Sequence, residues 1–293
     1  MAVGRTEDRL ALELVRFEAT DGLRLAGLLY TPRRRTRRAI VWLHGTGGAS
    51  VFESKRTNVL GAELTARGFA FFPFNNRGAH IITRAGGMAH ERIRDCVFDI
   101  DGALRELRRR GFDDITLAGH STGANKVAVY DHLKPRNRVK RYVLLAGGDD
   151  TGLLFQQLSA RLFNVALKKA REMIQARRGD EIVPKRLSAL PLSWRSFYDM
   201  ANPNGDYNVF PFMEATTGPR LSRRPLFRHV RGIRKPALYL YGSRDEYIDD
   251  LDASLAALER NIGRKGRIVV IDDADHGFSD REGEVAEALS SWP

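Results

Sequence analysis

The chain has 293 residues, of which 43% are hydrophobic and 29% charged, with a formal net charge of +12 and one cysteine. That length suffices for one α/β domain with a substantial core. The single cysteine excludes an intrachain disulfide, and no apolar run reaches the roughly 18 residues that cross a bilayer. Met1 to Asp8 carry no apolar leader pattern, so a cytoplasmic protein without membrane insertion is expected.

In chain order, two strands (about Leu12–Ala19 and Leu23–Tyr30) come first. The apolar strand Ala39-Ile40-Val41-Trp42-Leu43 then runs into His44-Gly45-Thr46-Gly47-Gly48. A helix from about Phe52 to Arg67 leads to a strand at Phe69–Phe74. A helix from about Ile93 to Arg109, with Cys96 as a small core residue beside Val97 and Ile100, leads to Ile115-Thr116-Leu117-Ala118. That run enters Gly119-His120-Ser121-Thr122-Gly123, followed by a helix from Ala124 to Leu133 and a strand Tyr142–Ala146. Alternating strands and helices predict a mostly parallel sheet covered on both faces.

The alternation stops after Gly147. Thr151 to about Arg178 reads as one long helix, and Glu181 to Phe227 as loops rich in Pro and aromatics, among them Trp194 and Tyr207. The expected organisation is one domain over 1–293 with a cap inserted at about 150–228. Beyond it, Pro236–Tyr241 is a strand that turns at Gly242-Ser243-Arg244-Asp245. A last strand, Arg267–Ile271, ends in Asp272-Asp273-Ala274-Asp275-His276-Gly277-Phe278.

Three of these strand ends carry related chemistry. G-x-S-x-G at a strand-to-helix junction is a turn so tight that the flanking residues are nearly bare, which pushes the serine oxygen out at the top of the sheet. A serine hydroxyl needs a base to take its proton and an acid to hold that base. Asp245 and His276 follow Ser121 in the order serine, acid, histidine, each just past a strand. Strand ends of an open parallel sheet gather on one edge, so Ser121, Asp245 and His276 are expected to meet. Asp249, Asp250, Asp149 and Asp150 are the other candidate acids. Of the other histidines, His120 is expected to point away from the serine, and His132 and His229 to lie on helical or loop surface. The backbone amides of Thr46 and Thr122 are the expected oxyanion donors, with Gly47 second to Thr46. His44, Gly45 and Gly47, with Trp194 and Tyr207 from the cap, are expected to face substrate.

The HGTGG loop, the GHSTG turn, the YGSRD turn and the DADHGF loop occur in that order over most of the chain and resemble the α/β-hydrolase superfamily. The resemblance implies an α/β-hydrolase fold with a helical and loop cap, and serine hydrolase activity. A narrower similarity, carried by Phe71 to His80, Glu91 to Asp101, the GHSTG turn and the stretch after Leu190, is to small esterases that include fungal siderophore ester hydrolases.

The expected activity is cleavage of a carboxylic ester through an acyl-enzyme. Thioester or amide cleavage and acyl transfer would use the same three residues, and a non-catalytic ligand-binding protein is the reading of another class. No metal-ligand spacing and no dinucleotide or Walker fingerprint occurs, so neither metal nor cofactor is expected. Arginine clusters at Arg33 to Arg38, Arg108 to Arg110, Arg177-Arg178 and Arg223-Arg224 give a sequence pI near 10.1. They lie in unrelated turns and helix ends, with no nucleic-acid motif, and read as solvated surface. The expected partner is a small-molecule ester, and the basic surface would favour an anionic one.

Overall fold

A computed structural model describes residues 11–47, 50–83 and 86–292. Gly48 and residues Met1 to Asp8 lie outside the described residues. The described strands form one eight-stranded sheet. In chain order they are β1 (Ala11–Glu18), β2 (Arg24–Thr31), β3 (Arg38–Leu43), β4 (Ala70–Asn75), β5 (Asp114–His120), β6 (Arg141–Leu145), β7 (Ala237–Gly242) and β8 (Gly266–Ile271). Their spatial order is β1-β2-β4-β3-β5-β6-β7-β8. The β1–β2 and β2–β4 pairs are antiparallel, and every pairing from β4 to β8 is parallel.

Composition explains this order. In β3, Ala39 to Leu43 are all at 2% exposure or less, and β5 and β7 are buried almost throughout. Such unbroken apolar runs belong in the middle of a sheet covered on both faces. At the edge, β1 alternates, with Val15 and Phe17 inward and Leu12 and Leu14 exposed.

Helices α1 (Lys55–Ala66), α2 (Cys96–Arg109) and α3 (Thr122–Leu133) cover the first half of the sheet. The side chain of Ser54 accepts from the Thr57 amide and caps α1, which starts three residues later than the apolar pattern suggests. Ile93–Asp95 form a 3₁₀ turn ahead of α2, and Cys96 is buried in the core as expected.

The segment between β6 and β7 is more helical than its sequence suggests. It holds α4 (Asp150–Gln175), α5 (Trp194–Ala201), α6 (Phe212–Thr216) and α7 (Arg228–Gly232). In α5, Trp194, Phe197 and Ala201 are buried one turn apart, and Ser193 caps the helix through the Ser196 amide. The predicted long helix is broken at Ser159, which takes φ 60° and ψ 152°. Helices α8 (Leu251–Glu259) and α9 (Glu282–Ser291) complete the chain, with α9 against α1. No described helix is long and apolar enough to cross a membrane.

The arginine clusters are less scattered than their sequence positions imply. Arg34, Arg35, Arg37 and Arg110 line one surface cavity, and Arg37, Arg108, Arg138 and Lys140 line the next. Both lie at the N-terminal ends of the parallel strands, where Arg38 pairs with Asp114 in register.

Candidate active site

Ser121 sits between β5 and α3 with φ 57° and ψ −128°, a conformation that non-glycine residues rarely adopt. Its side chain caps nothing in α3, so a helix-capping role does not account for this serine. The turn demands bare neighbours. A Cβ on Gly119 would lie 2.2 Å from the Gly123 carbonyl oxygen, and one on Gly123 would lie 2.3 Å from the Leu43 carbonyl oxygen.

The structure brings the three strand-end residues together. His276 Nε2 lies 3.0 Å from Ser121 Oγ, and His276 Nδ1 lies 2.9 Å and 3.0 Å from the two oxygens of Asp245. Asp245 is 5% exposed, and the Tyr247 amide donates to its Oδ1 at 3.1 Å. The Tyr247 ring packs edge-on to His276 with centroids 4.6 Å apart.

Three of the other candidate acids are engaged elsewhere. Asp249 accepts from Gln156, and Asp250 caps α8 through the Ala253 amide. Asp149 accepts from the Gly152 and Met213 amides with separate oxygens, both at 2.8 Å, and so ties the start of α4 to α6. Burial pushes the Asp149 carboxyl up to about 7, against those two hydrogen bonds. Burial also raises Asp150 to about 6, with His276 and Lys126 pulling the other way.

His120 does point away from Ser121, yet it supports the arrangement. Its Nε2 donates to the His276 carbonyl at 2.7 Å, and its Nδ1 accepts from Arg56, which also donates to the Gly277 carbonyl at 2.5 Å. Strand β5 and helix α1 thereby hold the loop that carries His276. Burial and the Arg56 charge keep His120 well below the usual histidine range.

The loop after β3 lies against the serine. A Cβ on Gly45 would come 2.8 Å from Ser121 Cβ. Thr122 is the first residue of α3, so its amide has no carbonyl one turn back within the helix. The Thr46 hydroxyl donates to that of Thr122 at 2.8 Å. The Gly47 amide donates to Met88 Sδ at 3.2 Å.

Backbone groups engage both ring nitrogens of His44. This histidine is 4% exposed, donates from Nδ1 to the Gly45 carbonyl at 2.8 Å and accepts at Nε2 from the Asn76 amide at 3.2 Å. Burial pushes it down to about 3. Asn76 Oδ1 in turn accepts from Lys126 Nζ at 3.0 Å, and Lys126 pairs with Glu91 at 2.6 Å. This buried chain, which the sequence reading did not find, links the loop after β3 to α3.

The two cap aromatics differ. Trp194, 6% exposed, packs edge-on to Phe197 in the hydrophobic core. Tyr207 is also buried, but its hydroxyl faces the hydroxyls of Thr46 and Thr122.

His229 corrects the surface assignment. It is fully buried on α7, with Nε2 3.1 Å from Asp206 Oδ1. His132, Asp206 and His229 each bring a potential ligand atom within 4.8 Å of the others, a grouping that sequence spacing does not reveal. Arg228 and Arg94 also approach the Asp206 carboxylate, at 3.0 Å and 3.3 Å, and hydrogen bonds from His229 and Arg228 hold its pKa down. Two guanidinium charges already balance the carboxylate that a cation would need.

Solved structures share this fold across nearly the whole chain. The esterase domain of a Rhodothermus marinus protein is 19% identical, covers 96% of this chain and 97% of its own, and superposes with a TM-score of 0.58. Est1E from Butyrivibrio proteoclasticus, solved with ferulic acid bound, is 18% identical over 94% of this chain and 96% of its own, with a TM-score of 0.61. A hypothetical protein from Pseudomonas aeruginosa is 15% identical over 99% and 96%, with a TM-score of 0.67. No curated protein sequence matches the chain. The model of the alpha/beta hydrolase family matches residues 40–288, and with most of its length inside that match the chain belongs to the α/β hydrolase family.

Proposed function

We propose that the protein is a serine esterase that cleaves a carboxylic ester through a covalent acyl-enzyme. The hydrogen-bonded chain Asp245–His276–Ser121, ending on a serine oxygen that caps no helix, carries this reading. Ser121 Oγ attacks the ester carbonyl while His276 Nε2 takes its proton. Asp245 keeps the Nδ1–H tautomer and stabilises the imidazolium as it forms. The Thr46 and Thr122 amides would receive the oxyanion, and such donors act strongly because they are fixed before the charge develops. His276 then protonates the departing alcohol. Water, deprotonated by the same imidazole, releases the acid and restores Ser121.

In this reading residues 1–293 form one domain, and the cap at about 150–228 excludes water and shapes the acyl and alcohol pockets. Esterases among the structural neighbours, and the similarity to siderophore ester hydrolases in the sequence, support a search among esters. The test is a fluorophosphonate probe followed by a panel of p-nitrophenyl esters of rising chain length and hydroxamate siderophore esters. Labelling confined to Ser121 with turnover of at least one ester is expected. Absence of labelling would refute the proposal.

The loop after β3 offers a second test. A methyl group on Gly45 would lie 3.3 Å from Ser121 Oγ and force the Thr46 amide away from the carbonyl oxygen. Gly45→Ala should lower kcat on small activated esters by about 100-fold, the scale on which misplacement by about 1 Å acts. An unchanged kcat would show that this loop does not touch the reacting group.

A further inference from the structure

Asp150 is a carboxylate beside helix α3 that the proposed reaction does not use. It opens α4 where the chain leaves β6, immediately after Asp149. Its Oδ2 accepts from Asn125 Nδ2 at 3.3 Å, and that amide also donates to the Gly148 carbonyl at 3.0 Å. Asn125 lies one turn beyond Ser121 in α3 and is fully buried, and its side-chain oxygen receives no hydrogen bond. Two acceptors therefore sit side by side near Ser121 with one donor between them.

Through Asn125, Asp150 is tied to the first turn of the helix that Ser121 opens. Its charge acts on His276 and on Tyr207, and the Tyr207 hydroxyl faces Thr46 and Thr122. Asp150 is not a proton relay, because both ring nitrogens of His276 are taken, by Asp245 and by Ser121. Nor does it have an ion pair among the described residues. Lys126, the other cation whose field reaches it, is held by Glu91 at 2.6 Å and Asn76 at 3.0 Å. Part of the residue's surface remains accessible although the carboxylate is enclosed by protein. An anion without a counter-charge is costly to bury, and a ligand group that offers positive charge and several N–H donors would satisfy both acceptors.

We propose that Asp150, with the unfilled Asn125 oxygen beside it, forms a subsite for a primary ammonium group of the substrate, so that the enzyme prefers esters bearing a protonated amine near the scissile bond. The proposal rests on the esterase reading above. It also reverses the expectation drawn from net charge. The +12 balance describes the outer surface, whereas a carboxylate on the substrate would meet Asp150 as a like charge.

Two matched ester pairs, differing only by ammonium in place of methyl, test it: ethyl β-alaninate against ethyl butanoate, and 6-aminohexyl acetate against heptyl acetate. One pair carries the cation on the acyl side and the other on the alcohol side. The wild type should favour the ammonium member of at least one pair by roughly ten- to hundredfold in kcat/KM, the range of a charge-assisted hydrogen bond. Asp150→Asn should bring that ratio close to one, and Asp150→Glu should restore part of it. If Asp150→Asn does not fold, inhibition of the wild type by hexylammonium replaces it, with hexylammonium expected to compete for the neutral ester better than hexanol does. Equal rates within both pairs, a preference that survives Asp150→Asn, or no advantage of hexylammonium over hexanol would overturn the subsite. Failure to cleave any ester, without fluorophosphonate labelling, would instead overturn the esterase reading on which it rests.

Discussion

Ser121→Ala is expected to abolish ester turnover, with kcat falling by about 10⁴- to 10⁶-fold, while the protein stays folded. The loss follows from the single covalent role that the proposal gives Oγ. Retention of the fold follows from the local geometry. The side chain makes no helix cap, its backbone amide is held by the Leu145 carbonyl at 2.9 Å, and alanine has the same Cβ at φ 57°. Circular dichroism and a Tm within about 2 °C of wild type would establish that the variant is intact. Residual turnover within tenfold of wild type would mean that another residue is the nucleophile.

Asp245→Asn is the second large effect, a fall in kcat of about 10³- to 10⁴-fold. The Tyr247 amide donates to Oδ1, so an asparagine at this position places its oxygen there and its NH₂ at the site of Oδ2, and both sites lie within 3.0 Å of His276 Nδ1. The negative charge that stabilises the imidazolium is lost, and wherever the NH₂ donates to Nδ1 the proton moves to Nε2, which presents N–H to Ser121 where a lone pair is required. Asp249→Asn and Asp250→Asn serve as controls, because their carboxylates bind Gln156 and the Ala253 amide. If either control proved the more damaging change, the orienting acid would be misassigned.

The reactive residues were readable because each stands in a short motif directly after an apolar run, and the parallel sheet carries all such ends to one edge. What remained hidden depends on partners distant in sequence. His229 sits in Arg228-His229-Val230-Arg231, a setting that reads as surface, and it is buried because Asp206 supplies its polar contact from the cap. Lys126 and Glu91 each look like ordinary charged residues until α3 packs over the loop that carries Glu91. The helix at Trp194–Ala201 was masked by prolines and aromatics on both sides, although Ser193 and the spacing of Trp194, Phe197 and Ala201 do mark it. The break at Ser159 has no glycine or proline to announce it. For His44, sequence cannot show that both ring nitrogens are used by backbone groups.

The buried histidines and carboxyls together govern how the protein responds to acid. His44, His120 and His229 are all held below the ordinary histidine value by burial. Folding keeps them neutral, so their contribution to stability is complete above pH ~6.5 and drains away as acid protonates them in the unfolded chain. Asp149, Asp150 and Asp199 are raised to about 7, 6 and 6 by the same cause. Their penalty is greatest above those values and is relieved as pH falls toward about 4, because the folded chain takes up protons before the unfolded one does. Across this interval the three histidines release stability while the raised carboxyls, Asp99 and Asp131 among them, recover it. The Tm should therefore stay nearly level from about pH 6.5 to about pH 4. It should then drop once Asp206 and Glu106, held low by their arginine and histidine partners, begin to protonate. Calorimetry across that range checks it, and a steady decline beginning at pH ~6.5 would show that the carboxyls provide no counterweight. The buried histidines and carboxyls thus act together as a proton buffer for the fold.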